Sequence, residues 1–286
     1  MASEYTDASW TSEDGLKLHY RDYAGDAGQL PVCCFHGLTR NARDFSDLAA
    51  HIAPSRRVIV PEMRGRADSD YAPDPATYNP VQYVRDVLDL LERESIDRFV
   101  AIGTSLGGLM TMMLAHGEPG RIEGAVLNDI GPDISADGIA KIRSYVGQGR
   151  SFPTWLHAAR SLEDVHGDAH PGFELEDWLE MAKRGMTVQQ NGRIGFDYDM
   201  KIAEPFSQED GAAPADLWPA LDALSGIPVL IVRGDSSNIL SPETLERMVE
   251  RLPQARTVTI ANTGHAPLLS EPPALAAIDE LLGSVP

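Results

Sequence analysis

The chain has 286 residues, 43% hydrophobic and 23% charged, the composition of a folded globular protein rather than a disordered or collagen-like one. Lysine and arginine total 24 against 43 aspartate and glutamate, a formal charge of −19, and such an acidic surface repels phosphate backbones and anionic lipid heads. Neither nucleic-acid nor membrane partners are expected, and no run approaches the ~20 apolar residues of a membrane helix.

The first segment, MASEYTDASWTSEDG, carries four acids and neither a basic stretch nor an apolar core, so no signal peptide is expected and the location expected is cytoplasmic. Leu16–Arg21 alternates apolar and polar residues as a half-exposed strand does. Short β-branched or apolar runs follow at Val32–Phe35, Val58–Val60, Phe99–Gly103, Ala125–Leu127, Val229–Val232 and Val258–Ala261. The two cysteines, Cys33 and Cys34, are adjacent within the first of these runs. Their side chains then point to opposite faces of a strand, which excludes a mutual disulfide, and two cysteines are too few for a structural zinc site. Helices separate the runs. Asn79-Pro80 supplies a cap and first residue, with Val84, Val87, Leu88 and Leu91 at helical spacing; Ser241-Pro242 does the same ahead of Leu245, Met248, Val249 and Leu252. A last helix covers about Ala274–Leu282. This alternation predicts a mostly parallel sheet flanked by helices. The stretch 132–219 breaks the rhythm, with no buried-strand run but with Trp155, Trp178 and Trp218. It is expected to be a mainly helical insertion in a core formed by residues 1–131 and 220–286.

The chemistry concentrates at the ends of the apolar runs. Gly103-Thr104-Ser105-Leu106-Gly107 lies between a strand and a helix-compatible segment, the context in which G-x-S-x-G forms a sharp turn presenting a serine hydroxyl at a helix N-terminus. His36-Gly37 directly follows Val32–Phe35, and the Leu38 and Leu106 amides are expected to converge as an oxyanion hole. His36 is expected to brace that loop rather than carry protons, and His36 and Gly37 are counted among the substrate-binding residues. His265, in Asn262-Thr263-Gly264-His265-Ala266-Pro267 after a late strand, is the expected general base for Ser105. His116, His157, His166 and His170 are expected to have surface or packing roles.

Six features in order, FHG, PEMRGRADSD, GTSLGG, the insertion, VRGDSSNILSP and GHAP, resemble the α/β-hydrolase superfamily over about residues 14–285. The resemblance implies an α/β-hydrolase fold with a helical lid formed by residues 132–219. Glu62 and Ala67 stand where the family's D-x-R-G-x-G-x-S turn has aspartate and its second glycine. The family commonly places its triad acid in the loop after the strand matching Val229–Val232, but Ser237 and Asn238 occupy those positions. Two carboxylates remain as candidates, Asp235 in that loop and Asp129 at the end of the strand containing Ala125–Leu127, a place some α/β-hydrolases use; Asp129 is favoured. The implied function is a serine hydrolase acting on a carboxylic ester, thioester or lactone with an apolar or aromatic group. A carbon–carbon bond hydrolase of ring-cleavage products and a weakly catalytic small-molecule receptor are the alternatives. No dinucleotide, P-loop or H-E-x-x-H motif occurs, so neither cofactor nor metal is expected. Trp155 and Trp178 are the insertion residues expected nearest the acyl pocket, with burial in the lid's own core as the alternative.

Overall fold

A computed structural model describes residues 5–207 and 216–286. Its centre is an eight-stranded sheet of β1 (Tyr5–Thr11), β2 (Lys17–Tyr23), β3 (Val32–Phe35), β4 (Val58–Pro61), β5 (Phe99–Thr104), β6 (Ile122–Asn128), β10 (Val229–Gly234) and β11 (Arg256–Ile260). Their order across the sheet is β1-β2-β4-β3-β5-β6-β10-β11, antiparallel through β1, β2 and β4 and parallel thereafter. The first five apolar runs became inner strands because their residues are buried on both faces, whereas Val258–Ala261 falls on β11, an edge strand that is mostly exposed and ends at Ile260. Cys33 and Phe35 join one core and Val32 and Cys34 the other, and β5 divides in the same way at Ala101 against Val100 and Ile102. Helices α2 (Pro80–Arg93), α3 (Leu106–Gly117), α8 (Trp218–Asp222) and α9 (Pro242–Arg251) cover the first face; α1 (Ser46–Ile52) and α10 (Pro272–Gly283) cover the second. The caps are as expected: the Asn79 side chain accepts from Gln82 N and that of Ser241 from Thr244 N.

Between β6 and β10 runs the insertion: α4 (Ala136–Tyr145), β7 (Ser151–Phe152), α5 (Trp155–His166), α6 (Leu175–Gly185), β8 (Met186–Val188), β9 (Ile194–Phe196) and α7 (Glu204–Ser207). It is not purely helical, because β7, β9 and β8 pair as a small antiparallel sheet. These strands span two or three residues, too short for a periodic pattern to register. Residues 208–215 of the expected insertion lie outside the described residues. Since β6 and β10 pair directly, from Val229 beside Ala125 to Val232 beside Asn128, the insertion leaves the sheet continuous and rises from its C-terminal end.

The segment Glu62–Ser69 anchors that end. Arg64 is fully buried and forms a fork with Asp86, also fully buried, while its other edge meets Asp14. Arg66, equally buried, donates from Nε and Nη2 to the Leu38 carbonyl at 3.0 and 2.9 Å and lies over the Tyr83 ring. Glu62 accepts from the Ala42 and Asp68 amides and from His19 Nδ1. Burial opposes its charge, but these donors, His19 foremost, hold its carboxyl below the usual range. Ala67 sits at φ 44°, the left-handed region in which the family's glycine is unstrained. Among the described residues no helix is long and apolar enough to cross a membrane.

Candidate active site

β5 ends at Thr104, and the chain reverses into α3 through Ser105, whose φ of 53° and ψ of −114° mark a sharp turn. Small residues are required around it. A Cβ on Gly107 would stand 1.9 Å from the Phe35 carbonyl oxygen, and one on Gly103 would stand 2.3 Å from the Gly107 oxygen. This close approach sets the first turn of α3 against the end of β3, directly before His36-Gly37. The Leu38 and Leu106 amides have no hydrogen-bond partner among the described residues.

His36 is fully buried and holds its own loop: Nε2 accepts from Met63 N at 3.1 Å, leaving Nδ1 to donate to the Gly37 carbonyl at 2.7 Å. Burial, aided by the nearby Arg66, lowers its pKa to about 4, so the ring is neutral. It does not line the cavity beside Ser105; Gly37 does. The expected bracing role fits these bonds, and the expectation that His36 also contacts substrate is corrected.

From the loop after β11, His265 reaches Ser105: Nε2 lies 2.9 Å from Oγ. Its Nδ1 is 2.8 Å from Asp129 Oδ2. Asp129 leaves β6 at φ 58° and is fully buried. Its Oδ1 accepts from Gly234 N at 3.0 Å and its Oδ2 also accepts from the Ser237 hydroxyl at 2.7 Å, which fixes the orientation of the carboxylate. With the carboxylate accepting, Nδ1 carries the ring proton and Nε2 is free to accept from the serine hydroxyl. Asp235 points elsewhere. Its oxygens accept the Asn262 and Thr263 amides, which lowers its pKa and braces the histidine loop from the outside. Asn238 is exposed, its carbonyl taken by the Ser135 hydroxyl. Asn128, which the sequence reading passed over, ties the loops together: Nδ2 donates to Thr104 Oγ1 at 3.0 Å and to the Pro267 carbonyl at 2.8 Å.

The cavity beside Ser105 differs from expectation on its upper side. Its insertion residues are Ile142, Tyr145, His166, His170 and Met181, not Trp155 or Trp178. Trp178 is buried between α5 and α6, against Phe173 and His170, and Trp155 packs onto the same cluster; indole bulk went into the insertion's own core. His166 meets Tyr145 edge-on with ring centroids 5.2 Å apart, and His170 stacks on Phe173 at 4.4 Å. Desolvation lowers their pKa values to about 3 and about 4, leaving two neutral imidazoles facing the cavity. Arg40 also lines it, with no motif in the sequence to mark it. Among the described residues, His19, Glu62 and Asp68 bring three possible metal-ligating atoms within 4.8 Å of one another. There, however, His19 Nδ1 and Glu62 Oε2 already hydrogen-bond each other at 2.9 Å.

The family model described as alpha/beta hydrolase fold matches residues 31–272. The chain belongs to the α/β-hydrolase fold family. A crystal structure of an alpha/beta hydrolase from Novosphingobium aromaticivorans is 56% identical, with all of both chains covered and a TM-score of 0.95. This α/β hydrolase is also similar to a 3-hydroxybutyrate-oligomer hydrolase of Cupriavidus necator, 32% identical over 91% of this chain and 90% of that one. An sn-1-specific diacylglycerol lipase of Mus musculus is 26% identical over 87% and 80%.

Proposed function

We propose that this α/β hydrolase cleaves a carboxylic ester through an acyl-enzyme, with Ser105 as nucleophile, His265 as general base and then acid, and Asp129 as the acid of the triad. The observation carrying the reading is the unbroken chain of hydrogen bonds from Ser105 Oγ through His265 to Asp129. Similarity to an oligomer hydrolase and a lipase supports an ester as the bond attacked.

Oγ adds to the ester carbonyl while its proton passes to His265 Nε2, and the imidazolium so formed is stabilised by the Asp129 carboxylate on Nδ1. The charge gathering on the carbonyl oxygen meets the Leu38 and Leu106 amides, each worth about 3 kcal/mol in comparable sites. Two supports hold the first of these: Arg66 fixes the Leu38 carbonyl and His36 the Gly37 carbonyl. The imidazolium then protonates the departing alcohol, and water reverses the sequence to release the acid. The insertion, residues 132–219, acts as a cap that shapes the acyl pocket, supported by the five side chains it contributes to the cavity.

A chromogenic ester tests this reading. Wild type should show a burst of alcohol product, and Ser105→Ala should lower kcat on the order of 10⁶-fold, as in a serine protease, with the circular dichroism spectrum unchanged. Retained turnover in that variant overturns the mechanism.

A further inference from the structure

A second cavity adjoins the one holding Ser105, and the two share Thr39, Arg40, Tyr145, His166 and Met181. It extends under α5 and the small sheet, with Leu162, Val165, Met186 and Phe196 as apolar walls. Its charged lining consists of two arginines, Arg40 and Arg150, with no aspartate or glutamate. That is contrary to the composition, in which acids outnumber bases 43 to 24.

Arg40 connects the two spaces. The point a Cβ on Gly37 would occupy lies 3.4 Å from Arg40 Cγ and 3.9 Å from Ser105 Cβ, so the arginine stem starts beside the serine. Its far end lies near Gly185 on the wall of the second cavity, where an added Cβ would stand 3.9 Å from Nη1. Asp44 accepts from Nε and Nη2 at 2.5 and 2.8 Å, which orients the guanidinium and uses one edge of it. Burial works against the Arg40 charge, but Asp44 more than offsets it, so the group stays firmly cationic. Nη1 has no hydrogen-bond partner among the described residues, and neither does the Arg150 guanidinium. A guanidinium with one edge occupied keeps an end-on pair of N–H donors that matches a carboxylate.

We propose that the second cavity receives a carboxylate at the far end of the substrate, so that this hydrolase acts on esters carrying a free carboxylate. Arg40 binds it through Nη1 and Nη2, Arg150 supplies the second positive charge, and the apolar walls take the carbon chain between charge and scissile carbonyl. The proposal rests on the ester-hydrolase reading above. A single carboxylate suits the site better than a phosphate dianion, because Asp44 already balances one of its two cations.

The test pairs monomethyl adipate with dimethyl adipate, which share one carbon skeleton and differ in the terminal charge. The readout is the ratio of the two kcat/KM values in one preparation, a quantity independent of the fraction of enzyme folded. Wild type should prefer the half-ester by about tenfold or more. Arg40→Gln and Arg150→Gln should each bring the ratio toward one, Arg40→Gln further, and Arg40→Lys should restore part of it. Arg150→Gln removes no hydrogen bond or ion pair made within the described residues, so it keeps the test open should Arg40→Gln fold poorly. A wild-type ratio near one, or a ratio unmoved by both glutamine variants, overturns the proposal. If p-nitrophenyl acetate is hydrolysed in a Ser105-dependent way while that preference is missing, the carboxylate site alone falls. If no ester is hydrolysed, the ester reading falls and takes the site with it.

Discussion

Asp129 and Asp235 carry the same functional group and lie on neighbouring loops, yet their hydrogen bonds assign them different tasks. Asp129 Oδ2 faces His265, whereas Asp235 accepts the Asn262 and Thr263 amides. On the proposed mechanism, Asp129→Asn therefore lowers kcat by about 10⁴-fold, the loss that the same change produces in a serine protease. Asp235→Asn should leave kcat within about tenfold and show its effect as a lowered melting temperature, because it weakens the acceptor of the Asn262 and Thr263 amides. Asn238→Asp should not rescue Asp129→Asn, because position 238 faces solvent. Steady-state ester kinetics on the three variants decide among these outcomes. The histidines make a separate prediction. His36 is neutral in the fold with a pKa near 4, against about 6.5 in an unfolded chain, because burial and the Arg66 charge disfavour its protonation. The unfolded state thus binds the extra proton first as pH falls, so the stability this residue contributes is complete above pH ~6.5 and is lost progressively toward pH 4, on the order of 3 kcal/mol. His166 and His170 act in the same direction; His19, whose pKa is raised by Glu62 and Asp7 against the effect of burial, acts in the opposite one. Urea midpoints measured from pH 7.5 down to 4 should fall, and a flat profile would contradict the neutral state of these rings.

At the scale of elements, the turn from β5 into α3 is held by backbone proximity rather than by side chains. Gly107→Ala would drive a methyl into the Phe35 carbonyl 1.9 Å away and should destabilise the protein by about 3 kcal/mol or more. Gly117→Ala, at the other end of the same helix, meets nothing within 4 Å and should be neutral or stabilising by up to about 1 kcal/mol. Melting temperatures of the two variants should therefore move in clearly different ways. The same elements explain what was legible in the sequence. Runs such as Val229–Val232 are apolar on both faces because both faces are covered, so they mark a central strand by composition alone. β1 escaped notice because it is an edge strand, largely exposed and rich in Thr, Asp and Ser. Ser105 and His265 were legible because the glycines a sharp turn needs stand beside them. The cavity residues Arg40, His166 and His170 carry no local signal, since only the docking of the insertion brings them to Ser105. Trp178 misled for the converse reason: its size guarantees burial but does not say in which core.

The whole molecule is a sheet core with an insertion that has a small core of its own but is fastened to the segment after β3. The Asn41 side chain and Arg43 Nε both donate to the Arg184 carbonyl, Arg43 also pairs with Asp197, and Arg184 pairs with Asp47. Arg43→Ala should loosen this seam, and on the proposed function it should raise KM several-fold with a smaller change in kcat, because the residue touches the insertion and not Ser105 or His265; equal losses in both would indicate damage to the loop after β3. Exchange of residues 132–219 for the corresponding segment of a relative should change acyl preference while preserving dependence on Ser105, and a change in melting temperature alone would reduce the insertion to structural cover. The two adjacent thiols of β3 provide a clock for the same assembly. Cys33 faces the α2–α3 layer and Cys34 the α1–α10 layer; both are buried, and desolvation pushes Cys33 up to about 12 and Cys34 well above its ordinary value. Neither sulfur is reactive until its own layer lifts away. Two equal labelling rates with a thiol reagent would mean that both helical layers part from the sheet in one event, whereas a fast first thiol, located by peptide mapping, would name the layer that peels first.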